Sequence, residues 1–200
     1  MANRQLQVII AVSVIGFVSG LAFADSLPAS TTRHQISALL QNGLEAIKSE
    51  QWTRALAAAE EAVHLIRKQA PLEIRKASVV HHNHTGIGLY SPAPGAEVHG
   101  QELKLYVEVA NFENKKIGPE LYEVQLEVQG EFKLEDQTPL GSRDLGLHRY
   151  KTRSPSGVTS FGLDVTLGKS APKGVYFLRL HVKDRLGNKE ADYDLTFRIP

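Results

Sequence analysis

Apolar positions along this 200-residue chain change their period twice. Residues 8–21 are apolar apart from Ser13, Gly16, Ser19 and Gly20. Residues 25–33 are small and polar with one proline, and read as a flexible leader. From His34 the spacing turns helical. Ile36, Leu39, Leu40, Gly43, Leu44 and Ile47 fall at i, i+3, i+4, i+7, i+8 and i+11, which is one face of a helix. Thr31 or Thr32 is placed to cap it. Ser49, Glu50 and Gln51 interrupt the pattern; Trp52, Ala55, Leu56, Ala59, Val63 and Ile66 resume it, and Pro71 stops the second helix. Two amphipathic helices joined by so short a turn predict an αα-hairpin.

Beyond Lys76 the period becomes two. Leu103, Leu105, Val107 and Val109 alternate with polar neighbours, as do Tyr122, Val124, Leu126 and Val128. The same holds for Phe161 to Leu167, Tyr176 to Val182 and Tyr193 to Ile199. One apolar and one polar face is the mark of antiparallel sheets. Turn chemistry separates the runs, at residues 92–95, 116–119, 139–141, 154–157, 172–174 and 186–189. The expectation is therefore α+β by segment: an N-terminal helical hairpin (25–71 with its leader), a linker over 71–75, and an all-β antiparallel sandwich of seven or eight strands (76–200).

Charge and compartment sharpen this picture. Arg4 is the only charge in the first 24 residues, and the apolar run ends in Ala22-Phe23-Ala24 before Asp25. A small-x-small site after such a run predicts a signal peptide over 1–24 and export of the rest to the periplasm or beyond. The alternative is an uncleaved anchor, which leaves the body exported all the same. After cleavage no membrane span is expected. Without Arg4, 22 basic residues face 22 acidic ones, so the exported part has no electrostatic footprint for nucleic acid. There is no cysteine, which excludes disulfides, thiol catalysis and thiolate metal sites. The sandwich must be held by core burial alone.

Gly43, Trp52, Ala55, Leu56, Ala59, Ala62 and Val63 resemble a single tetratricopeptide repeat over residues 36–71: a small residue in the first helix, an aromatic opening the second, and spaced alanines where the two cross. The helix-A tryptophan of that pattern is missing, and no second copy follows. Residues 173–185 (Gly174-Val175-Tyr176 into a strand that ends at Asp184) and 105–112 resemble strands of uncharacterised bacterial periplasmic proteins with immunoglobulin-like domains. That resemblance implies a fold and brings no catalytic residues with it.

Candidate chemistry is sparse. His82 and His84 point to one side if 81–84 is a strand, and two imidazoles begin a zinc or copper site; a tight site needs further ligands, with His99, His148 and His181 available. Ser160 lacks the spacing of a nucleophile elbow, and Gly86-Ile87-Gly88 lacks the third glycine of a dinucleotide loop. Glu60-Glu61 reads as a solvated helix face. Trp52 is expected to pack the hairpin, the alternative being an exposed anchor for a partner. These features predict a non-enzymatic binding or scaffolding protein that contacts another envelope protein. Its alternatives are a metal-binding protein centred on His82 and His84, or glycan or small-ligand recognition on the sandwich. A homo-oligomer through the alanine-rich hairpin is a further expectation.

Overall fold

The computed structural model describes residues 29–82, 86–168 and 171–200. The signal-peptide expectation falls outside them, as does His84. Two helices, α1 (Ala29–Lys48) and α2 (Trp52–Gln69), precede eight strands. These are β1 (Glu73–Val79), β2 (Glu102–Ala110), β3 (Lys115–Gly118), β4 (Leu121–Leu134), β5 (Pro139–Thr152), β6 (Val158–Thr166), β7 (Gly174–Asp184) and β8 (Lys189–Ile199). None of the described helices is long and apolar enough to cross a membrane.

The strands form two antiparallel sheets. One has the order β1-β2-β6; in the other β4 is flanked by β5 on one side and by β7, with the short β3, on the other, and β8 follows β7. The chain changes sheets between β2 and β3, between β5 and β6, and again between β6 and β7. Alternating residues from both sheets fill the space between them: Leu103, Leu105, Val107 and Val109 from β2, Val124, Leu126 and Val128 from β4, and Leu178, Leu180 and Val182 from β7. At the start of β7 the Tyr176 hydroxyl donates to the Pro172 carbonyl (2.6 Å), the corner that pins the entry to this strand in immunoglobulin-like sandwiches.

Several details differ from the sequence reading. The strand β5 was not expected, because a bulge opposite Val128–Gln129 and the left-handed Gly146 (φ 107°) shift its inward parity from Leu145 to His148 and Tyr150. Residues 116–118 of the turn expected over 116–119 instead pair within β3. β1 already begins at Glu73, so only residues 70–72 separate it from the helices. Thr31 and Thr32 lie inside α1 rather than at its cap, and Thr32 is buried.

The hairpin closes through a Schellman turn. Gln51 N–H donates to the Ala46 carbonyl (2.8 Å) and Glu50 N–H to that of Ile47 (3.0 Å), with Glu50 in the left-handed region (φ 59°) where glycine is the usual occupant. A polar joint ties the hairpin to the sandwich. The Lys189 ammonium donates to the carbonyls of Arg67 (3.0 Å), Ala70 (2.8 Å) and Asn111 (2.8 Å), placing a cation at the C-terminal end of α2. Beside it Asn111 Nδ2 donates to the Pro71 carbonyl, and the buried Asp184 carboxylate accepts from Glu113 N–H (2.7 Å) and Leu186 N–H (3.0 Å).

Candidate functional site

The hairpin packs on itself through its small residues. Thr32 and Ala46 of α1 and Ala55 and Ala62 of α2 are buried, as is Gly43, with Ile36, Leu39, Ala58 and Leu65 half-buried alongside. Gly43 sits next to the Ala55 carbonyl and the Ala58 methyl. The large apolar residues are one position further round each helix. Because the helices are antiparallel, that rotation carries both sets to the same side.

The result is one continuous apolar face made of Leu40, Leu44 and Ile47 from α1 and Trp52, Leu56, Val63 and Ile66 from α2. Trp52 is 65% exposed, Leu56 60% and Leu44 58%. Trp52 does not pack the hairpin as expected. It stands at the mouth of α2 in the position of an anchor. From these exposures the seven side chains present on the order of 650 Å², beyond the largest patch of an ordinary monomer, about 300–600 Å².

The described histidines are not gathered into one site. His81 and His82 lie exposed just after β1, their ring centroids 6.3 Å apart. His99 is beside Glu97 in the approach to β2. His181 on β7 contacts Asp192 (2.7 Å) and, at 3.8 Å, Glu190 of β8. His148 on β5 stacks on Phe161 of β6 (4.1 Å between centroids) in the seam between the sheets; its Nε2 has no hydrogen-bond partner among the described residues, and burial pushes its pKa down. Among the described residues no three His, Cys, Asp or Glu side chains converge in a way that could hold a metal ion.

Other polar groups are engaged internally. Tyr106, fully buried on the outer side of β2, accepts from Gly88 N–H (2.8 Å), donates to Glu108 (2.7 Å) and stacks on Tyr90, which fastens the 86–90 loop to the sheet. Burial raises the pKa of its phenol. Glu123 is buried against Arg149, whose hydrogen bond holds its carboxyl below the usual range. Arg179 pairs with Asp194, Lys183 with Glu190 and Arg185 with Glu127 across the outer face of the second sheet. An apolar cleft of about 260 Å³ opens at one end of the sandwich, floored by Phe132, Tyr176 and Phe197, with Arg143 on its rim.

No protein-family model and no curated protein matches the chain. Among solved structures it is similar to a family 123 glycoside hydrolase from Clostridium perfringens, with TM-score 0.38 and 12% identity, covering 66% of this chain and 27% of that one. It is also similar to the Pseudomonas fluorescens alkylpurine DNA glycosylase AlkC (TM-score 0.37, 12% identity, 88% and 50% covered). A third likeness is to a DUF4466 family protein from Parabacteroides merdae (TM-score 0.33, 10% identity, 65% and 45% covered). The chain thus spans half or less of the length of each of these proteins.

Proposed function

We propose that this is an exported, non-catalytic binding or scaffolding protein whose contact with another envelope protein is made by the hairpin. The observation that carries the reading is the continuous apolar face of Leu40, Leu44, Ile47, Trp52, Leu56, Val63 and Ile66. A lone helical repeat cannot bury both of its sides, so the sealed side uses small residues and the open side keeps the large ones for another protein. The Lys189 joint supports the same reading, because it gives the face a defined position on the sandwich rather than leaving it on a loose tether. Export rests on the apolar segment and the Ala22-Phe23-Ala24 site. Self-association through the hairpin belongs to this reading as one form of the contact.

The test is recovery from cross-linked envelope extract with wild type and with a Leu44→Glu, Leu56→Glu double variant. Both positions are exposed, so the substitutions leave the core alone. Proteins retained by wild type and lost by the variant are the expected result. Equal recovery by both, or none by either, refutes the assignment of function to this face. Mass spectrometry of the exported protein should find Asp25 at its N-terminus.

A further inference from the structure

The outward residues of α2, Trp52, Leu56, Ala59, Val63 and Ile66, are spaced nearly symmetrically about Ala59, with large side chains at both ends and a small one in the middle. Reversing the helix about Ala59 lays Trp52 over Ile66 and Leu56 beside Val63 of an antiparallel copy. Ala59 then meets its own twin, where a small residue lets two helices cross closely. We propose that the occupant of the hairpin face is a second copy of this chain, forming a two-fold dimer in which α2 crosses its counterpart antiparallel at Ala59. The inference rests on the reading of the hairpin face given above and names its partner.

Area supports the pairing. Covering roughly 650 Å² on each of two copies buries about 1,300 Å², within the range of stable dimer interfaces. The register is supported by what the alternative would do. Gly43 lies level with Ala55 and Ala58, so on the apolar side Leu40, Leu44 and Ile47 flank only the half of α2 nearest the turn. Laying α2 over the other copy's α1 matches the apolar residues no better: it would set Val63 and Ile66 over Ser37 and Arg33, as the antiparallel crossing sets Leu44 and Ile47 near Ser37 and His34. It would also bring both sandwiches to the same end of the helices. The antiparallel crossing sends them to opposite ends, because each α2 ends at Ala70 on its own sandwich. The dimer is then a four-helix unit with an unobstructed sandwich at each end.

The chain has no cysteine, so single cysteines report the geometry directly. Ala59→Cys places two thiols at the crossing within disulfide reach, whereas Glu61→Cys points away from the face. Under mild oxidation the first should become a covalent dimer and the second should not. Sedimentation equilibrium of the processed protein at about 100 µM, above the weakest dissociation constants usual for interfaces of this size, should give twice the chain mass. The Leu44→Glu, Leu56→Glu variant should give the mass of one chain with unchanged circular dichroism. Equal cross-linking of the two cysteine variants overturns the proposal. So does a single-chain mass for wild type. If such a monomer still retains a different envelope protein through the face, the hairpin reading survives and only the dimer is lost. If it retains nothing, both are lost.

Discussion

Lys189 bears the connection between hairpin and sandwich, and replacing it with methionine isolates that role. The substitution keeps the apolar stem and removes the ammonium from three carbonyls, those of Arg67, Ala70 and Asn111. A hydrogen bond from a charged donor contributes about 1.5–3 kcal/mol. The three share one partly exposed ammonium, and the abandoned carbonyls regain water, so about 2–3 kcal/mol for the set is the reasonable sum. Loss of a cation at the helix end adds up to about 1 kcal/mol. The perturbation is therefore about 3 kcal/mol, or roughly a hundredfold in the opening equilibrium. The helices pack mainly on each other, so the loss should fall on the end of α2 rather than on the sandwich. Hydrogen exchange at the Ala70 amide, which donates to Ile66 at 2.9 Å, should accelerate about a hundredfold while protection in β4 and β7 is unchanged. Lys189→Arg should restore only part of the protection, since a planar guanidinium cannot converge on three carbonyls as a tetrahedral ammonium does. If exchange at Ala70 in the methionine variant stays within about threefold of wild type, Lys189 is not the joint.

Four further outcomes are expected. Glu50→Gly should stabilise the hairpin by about 0.5–1 kcal/mol in chemical denaturation, because it relieves a left-handed backbone at the Schellman turn; a loss of stability would mean the Glu50 side chain has a role. Gly187→Ala should destabilise by about 1–3 kcal/mol, since a Cβ there would strike the Asp184 carboxylate, which the Glu113 and Leu186 amides hold in place. His148 has its pKa lowered by burial, so below about pH 6.5 the unfolded chain takes up a proton that the folded one resists. Stability should fall as pH drops through this range, by no more than about 1.4 kcal/mol per pH unit, and His148→Phe should flatten the slope between pH 7 and 5 while keeping the stack on Phe161. For the histidine pair, whose His84 lies outside the described residues, calorimetry with zinc and copper(II) on wild type and a His82→Ala, His84→Ala variant decides the metal reading: one equivalent bound tightly and lost in the variant is what it expects, and no site tighter than about millimolar removes it.

The sandwich was legible wherever strands alternate without interruption. β2, β4 and β7 bury the residues their period assigns to the core, and turn residues mark most of the boundaries. β5 was hidden for a definite reason. Its bulge moves the inward set from Leu145 to His148 and Tyr150, and period-two reading fails wherever an extra residue flips the parity. The Lys189 joint was invisible for another: its acceptors are backbone carbonyls at Arg67, Ala70 and Asn111, and no side-chain pattern announces a carbonyl. Asp184 stood out in the sequence only as a strand end, and its burial depends on amides 71 and 2 residues away.

The hairpin shows where periodicity stops being informative and residue size takes over. On α1 the helical period puts Gly43 with Leu40, Leu44 and Ile47 on a single apolar stripe, which is wide enough to contain two different surfaces. Helix packing separates them by volume. The antiparallel helices are sealed where Gly43, Ala46, Ala55 and Ala62 line the contact, with Leu39 and Leu65 half-buried at its edge, and so close a seam has no room for further leucines or a tryptophan. The bulky members are therefore expelled to the neighbouring side by the same geometry that seals the alanines. Filling the small side with larger residues would force the helices apart and begin to draw Leu44 and Leu56 inward. Ala55→Leu should thus weaken both the hairpin and whatever the face binds, whereas Leu56→Ala should weaken binding alone. That contrast, read by circular dichroism for the fold and by sedimentation for association, distinguishes a face built for a partner from a core left incomplete.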